Sequence, residues 1–344
     1  MTVLDRRRVL AALVAAACPI RGRAQDGPVS DAAGRLVGIP DTVGRVFPAG
    51  PPAAIWLYTL APELLLGWPR AIRPEEQVYL LPEVAKRPEV GRLTGRGNTA
   101  NLEGVLASKP DLILDLGSTD ATYVSLADRV QAQTSIAYAL LDGRLDKTAQ
   151  TYRILGRLVR READAARLAA YAEATLETVR ERVAAVPPEQ RPRTYYARGP
   201  RGLETALAGS INVEALEIMG AHNVAGGQRG GLATVSLEQV LAWDPEVIIT
   251  IDQDFARTVR TDPNWAAVSA VRAGRVHLSP KLPFGWVDFP PAVNRIVGLW
   301  WLGKALYPDL FPENLKPTAR EFYARFYHVS VTDEQLDHVL AGRG

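Results

Sequence analysis

Little in this sequence could make or break a covalent bond. Its histidines, His222, His277, His328 and His338, are scattered, its one cysteine is Cys18, and no Gly-x-Ser-x-Gly elbow pairs a nucleophile with a base. The same scarcity leaves no ligand set for zinc and no disulfide framework. What the chain does offer is binding chemistry. Arginine forks pair with carboxylate, catecholate or oxyanion groups, and aromatic rings supply rigid apolar area. Such residues stand where apolar runs end: Trp56 and Tyr58; Ser118 and Thr119 after Gly117; Tyr196, Arg198 and Arg201; Asp252; and Phe284 with Trp286 in "PFGW". An anion gripped by Arg198 between tyrosine or tryptophan walls is the chemistry expected. Trp300 and Trp301 belong to a helical pattern and read as packing. "GRGNTAN" and "AGGQRGGLA", which carry Arg96 and Arg229, lack the spacing and lysine of a phosphate loop and read as rim loops.

Residues of this kind need a scaffold, and composition bounds it. The 344 residues are 47% hydrophobic, enough for about two domains. With 40 basic and 38 acidic residues there is no basic run to track phosphates, so no nucleic-acid partner is expected. Residues 1–24 read as an export signal. Arg6-Arg7-Arg8 precedes an apolar run too short to span a bilayer, and Gly22-Arg23-Ala24 offers a small-residue cleavage site. "DRRRVL" fits either a general or a twin-arginine signal. Cys18 in "VAAAC", with Pro19 after it, is a poor lipid-attachment site. The mature protein is therefore expected outside the cytoplasm.

The elements that would position the site follow from periodicity. "AAIWLYTLA" (53–61), "DLILDLG", "TSIAYALL", "RTYYARG", "EVIITID" and "GRVHLSP" read as buried strands separated by amphipathic helices, the alternation of an open, doubly wound α/β sheet. Between Asp146 and Val186 the texture turns helical and proline-free. Gly156 marks a break between two helices, and Pro187-Pro188 stops the second. At about 1.5 Å per residue that helix spans a domain width. "NLEGVLASKPDLILDLG" (101–117) and "SLEQVLAWDPEVIITID" (236–252) repeat one helix–proline–strand unit, one copy on each side of this strut. The expected fold is thus two Rossmann-like α/β lobes (25–158 and 188–344) joined by one long helix (159–187), with the ligand cleft between them.

The ordered motifs resemble the periplasmic substrate-binding proteins of ABC importers for iron-siderophore complexes, cobalamin and related metal compounds. The two repeated units, "INVEALEIMGAHNVAG" (211–226) and "DPNWAAVSAVRAGRVHLSP" (262–280) carry the resemblance across most of residues 53–308. "LPFGWVDFPPAVNRIVGLWWLGKALYP" is similar to a signature of molybdate-type and iron-type members. The resemblance implies a monomer without cofactor or catalysis that captures a chelated metal, ferric siderophore-like, and hands it to a permease–ATPase complex. A molybdate- or tungstate-type oxyanion, cobalamin and haem stay open as ligands. A chelatase-like enzyme and a ligand-presenting sensor stay open as other functions. It also implies docking through one surface glutamate per lobe. Glu214 matches the second position, whereas the first falls near Ile55, so Glu63 would have to substitute from the next turn.

Overall fold

The computed structural model describes residues 27–95, 97 and 100–342 of the chain. The leader, with Arg6 to Arg8 and Cys18, lies outside the described residues, as does Arg96. Two parallel sheets are each wrapped by helices. In the first lobe the strands Val46–Pro48, Leu112–Gly117 and Ala137–Asp142 lie side by side in that order. In the second, Val276–Leu278, Val247–Thr250, Arg193–Ala197 and His222–Asn223 form a four-stranded parallel sheet. The middle strands are covered on both faces, which is why they read as unbroken Val, Ile and Leu runs. Both copies of the repeated unit fold alike. Helix Leu102–Ala107 feeds Leu112–Gly117, and helix Leu237–Trp243 feeds Val247–Thr250. Asn101 and Ser236 cap these helices, accepting from the Gly104 and Gln239 N–H groups.

The strut is a 23-residue helix, Glu162–Ala184, preceded by helix Thr148–Val159. Gly156 does not break the pair. It lies inside the first helix, where a Cβ would sit 2.5 Å from that of Ala165, so it lets the two helices touch. The chain turns instead at Arg160, which adopts a left-handed φ of 56°. The strut buries Ala165, Leu168, Ala169, Ala172, Leu176 and Val179 along one stripe, and Ala166 and Ala170 face solvent.

Two further expectations are corrected. "AAIWLYTLA" is a helix, Pro51–Leu60, and the strand preceding it is Val46–Pro48. The terminal helices are not confined to the second lobe. Tyr327 accepts a 2.7 Å bond from Tyr58 through its carbonyl, and Phe326 packs on Tyr152 of the first lobe. One apolar cluster consequently runs from helix Pro51–Leu60 through the strut to helix Arg295–Leu306. Smaller clusters back the outer face of each sheet, around Tyr138 and Tyr195.

Candidate functional site

A cavity of about 540 Å³ opens between the lobes. The first lobe contributes Arg70 and Arg73. The second contributes Arg198, Gly199 and Glu204, the exit segment Ile251–Asp254, and the segment holding Lys281, Pro283, Phe284, Asp288 and Phe289. Its position beyond the carboxyl ends of Arg193–Ala197 and Val247–Thr250 is where open α/β sheets bind ligands.

Arg198 is the first residue beyond its strand, held by a backbone bridge to Glu204 (2.7 and 3.2 Å). Its guanidinium is buried, with Nη1 3.3 Å from Asp288 Oδ2. Nε and Nη1 nevertheless lack a hydrogen-bond acceptor among the described residues. Asp288 is shared: Tyr196 donates its hydroxyl at 2.7 Å, Asn212 its amide at 2.8 and 3.0 Å, and Phe289 its N–H at 2.7 Å. Burial, then the Asp288 charge, push the Tyr196 phenol well above the ordinary range, so it stays a donor.

Across the cleft, Glu76 is 1% exposed and gathers both arginines of "PRAIRP". Arg70 grips it with two bonds of 2.8 and 2.6 Å, and Arg73 donates from its N–H and Nε at 2.9 and 3.0 Å. Burial alone would raise the Glu76 carboxyl, but the bonds from Arg70 and Arg73 outweigh it and leave the carboxyl below its usual value. Lys281 makes no hydrogen bond or ion pair among the described residues. Desolvation and then the charge of Arg73 hold its pKa below that of a free lysine.

The lining therefore carries four cations and four acids, and formal charge does not decide what it binds. Unspent bonding capacity does. Asp252 caps helix Gln253–Thr258 by accepting from Phe255 N–H at 3.0 Å. Asp254 pairs with Arg257, and Asp288 is saturated. Glu204 makes no side-chain hydrogen bond or ion pair among the described residues, and Asp252 and Asp254 each engage one oxygen only. On the cationic side, Arg70 and Arg73 are committed to glutamates, while Arg198 and Lys281 keep free donors.

Of the residues singled out from sequence, Arg198, Asp252 and Phe284 line the cavity. Tyr196 stands behind it through Asp288, and Tyr195 faces the other way, donating to Gly202 O; both are buried. Trp56, Tyr58 and Trp286 are fully buried and are not ligand walls. Trp56 lies against Tyr152 at 4.5 Å, and Tyr58 both donates to Tyr327 O and accepts from Leu81 N–H. These two were misplaced because their segment is a helix rather than a strand ending at the cleft. Trp286 sits under the loop, facing helix Arg295–Leu306, so tightly that a Cβ on Gly298 would overlap its carbonyl. A Cβ on Gly285 would overlap that of Asp288 in the same way. Ser118 and Thr119 do not line the cavity, and Ser118 donates to Asp120 at 2.8 Å. Arg201 and Arg229 are exposed and outside it.

The glutamates also differ from expectation. Glu214 is not a surface group. It is 5% exposed, takes the Leu145 N–H at 2.8 Å and pairs with Arg295 at 3.1 Å. Arg295 in turn donates to Gly143 O (2.6 Å) and Ile211 O (3.1 Å), stitching the 143–145 turn of the first lobe to the second. Glu63 is exposed and paired with Arg161 at the start of the strut, 2.8 Å. Among the described residues no cluster of His, Cys, Asp and Glu could hold a metal ion, and no helix is long and apolar enough to cross a membrane.

A family model for periplasmic binding proteins matches residues 64–282. The chain is 27% identical over 288 residues to the molybdate-binding protein MolA of Haemophilus influenzae, covering 78% of this chain and 80% of that protein. Its structure is similar to that of an ABC transporter solute-binding protein from Sulfurospirillum deleyianum. The TM-score is 0.84 at 29% identity, with 92% of this chain and 100% of the other covered. It is also similar to MolA bound to molybdate, with a TM-score of 0.75 at 25% identity over 89% and 99% of the two chains. Two parallel-sheet lobes, a cleft cavity between them and a family match over more than half the chain agree: the protein belongs to the periplasmic binding protein family.

Proposed function

We propose that the protein captures an anionic metal species in the inter-lobe cavity and delivers it to the permease of an ABC importer. The observation that carries this reading is Arg198, buried at the cavity with two guanidinium nitrogens lacking acceptors. An unsatisfied buried donor is costly, and an anion would satisfy it. Lys281 adds a second uncommitted cation on the same wall. The likeness to a molybdate-binding protein makes molybdate the first probe, and the resemblance to siderophore-binding proteins makes a ferric chelate the second.

Isothermal titration calorimetry with each probe tests the reading, beside metal analysis by native mass spectrometry of protein taken from its own periplasm. One anion per chain should bind without turnover. Arg198→Ala should weaken binding by about 10- to 100-fold, the worth of a charge-assisted bond. Arg198→Lys should recover little, because the fork geometry is lost. Absence of any bound or bindable anion, or full affinity in Arg198→Ala, would sink it.

A further inference from the structure

We infer that Phe289 sets the specificity of the cavity, favouring an anion that presents an apolar or aromatic face over a bare oxyanion. The inference rests on the anion-binding reading above and adds a second contact to it.

Phe289 is 72% exposed, the most exposed of the large hydrophobic side chains among the described residues, and it lines the cavity. Its backbone adopts φ 65°, a left-handed conformation that a bulky residue avoids without a compensating interaction. The compensation is local: its N–H donates to Asp288 Oδ1 at 2.7 Å. That carboxylate also takes the Tyr196 hydroxyl and the Asn212 amide and lies beside Arg198. One buried acid thus fixes the anion-binding guanidinium and the exposed ring together. Among the described residues the ring makes no aromatic contact, and it is mostly in water, so the fold gains little from it where it stands. A ligand in the cavity would profit.

A second ring agrees. Phe284 also lines the cavity and is backed by Trp68 at 5.8 Å and Tyr327 at 6.0 Å, so it is a rigid apolar floor. The space is about 540 Å³, within the roughly 300–1,000 Å³ of sites that take organic molecules and generous for a four-oxygen ion. Charge at Arg198 and Lys281, with rings at Phe284 and Phe289, describes an anionic centre carrying organic ligands.

Calorimetry on the full mature chain separates the possibilities. Sodium molybdate alone is compared with molybdate in excess catechol, which converts the ion to an anionic catecholate chelate, and catechol alone is the control. The chelate should bind about tenfold tighter than the bare ion, the size of an aromatic contact. In Phe289→Ala the ratio of the two affinities should fall toward one, and in Phe289→Trp it should persist. Equal affinities in the wild type, tighter binding of the bare ion, or an unchanged ratio in Phe289→Ala each overturn the inference while leaving anion binding intact. Binding of neither probe, with the ferric chelate unbound as well, overturns both.

Discussion

Lys281 is the side chain whose protonation should be visible in binding. Its pKa is held down by desolvation first and by Arg73 second, so it sheds its proton at lower pH than an exposed lysine. An anion binds the protonated form. Affinity should therefore decline with rising pH below the ordinary lysine range of about 10.4, and the bound anion should raise the pKa. The stability sign is the reverse. The unfolded chain holds this proton to higher pH than the folded one, so stability gains as pH rises from the lowered folded pKa toward the unfolded one. Titrating anion affinity against pH checks the first statement. Lys281→Arg, which stays charged, should flatten the decline, and a decline persisting in that variant would remove Lys281 from the site. At this scale the sequence was half legible. Strand ends led to Arg198, Asp252 and Phe284. Arg70, Arg73, Lys281 and Phe289 come from loops, where no periodicity marks which side chain points inward. The one signal was Arg70 and Arg73 spaced three apart between Pro69 and Pro74, a stiff segment carrying two forks.

Among the elements, the misread helix has a plain cause. Eight of its ten residues are buried, so it shows no apolar stripe, and an apolar run without periodicity reads equally well as a strand. Pro51-Pro52 was the available clue, since proline suits the first turn of a helix. Glu214 failed for the opposite reason. Its sequence context matched a surface position, but Arg295, 81 residues away, draws it inward. Burial lowers the Arg295 pKa, and Glu214 acts against that effect. Breaking a buried pair leaves a charge unmatched, so Arg295→Met and Glu214→Gln should each cost about 3–5 kcal/mol in denaturant unfolding. Replacing both residues by apolar ones should cost less than the sum. A Glu214 that served only to dock would give a different result: lost delivery with unchanged stability.

For the molecule as a whole, the repeated helix–proline–strand unit was the most legible feature, because a fixed order of turn chemistry and apolar runs survives where individual contacts do not. It foretold two parallel-sheet lobes about one long helix. It could not foretell that the lobes share a core, which depends on the last segment of the chain crossing back to helix Pro51–Leu60. That continuity has a thermal consequence. The lobes should melt together, with a single calorimetric transition whose enthalpy matches the van't Hoff value. Two resolved transitions would show that the shared core is too weak to couple them.

The tight seating of the 283–289 loop limits how this protein could change its cargo over time. Gly285 and Gly298 have no room for even a methyl group, so the backbone of the rim cannot be lengthened or re-routed without dislodging helix Arg295–Leu306. New preferences would have to arrive one side chain at a time, at tips such as Phe289 and Lys281. A lineage built on this frame diversifies by repainting the rim of a fixed mould.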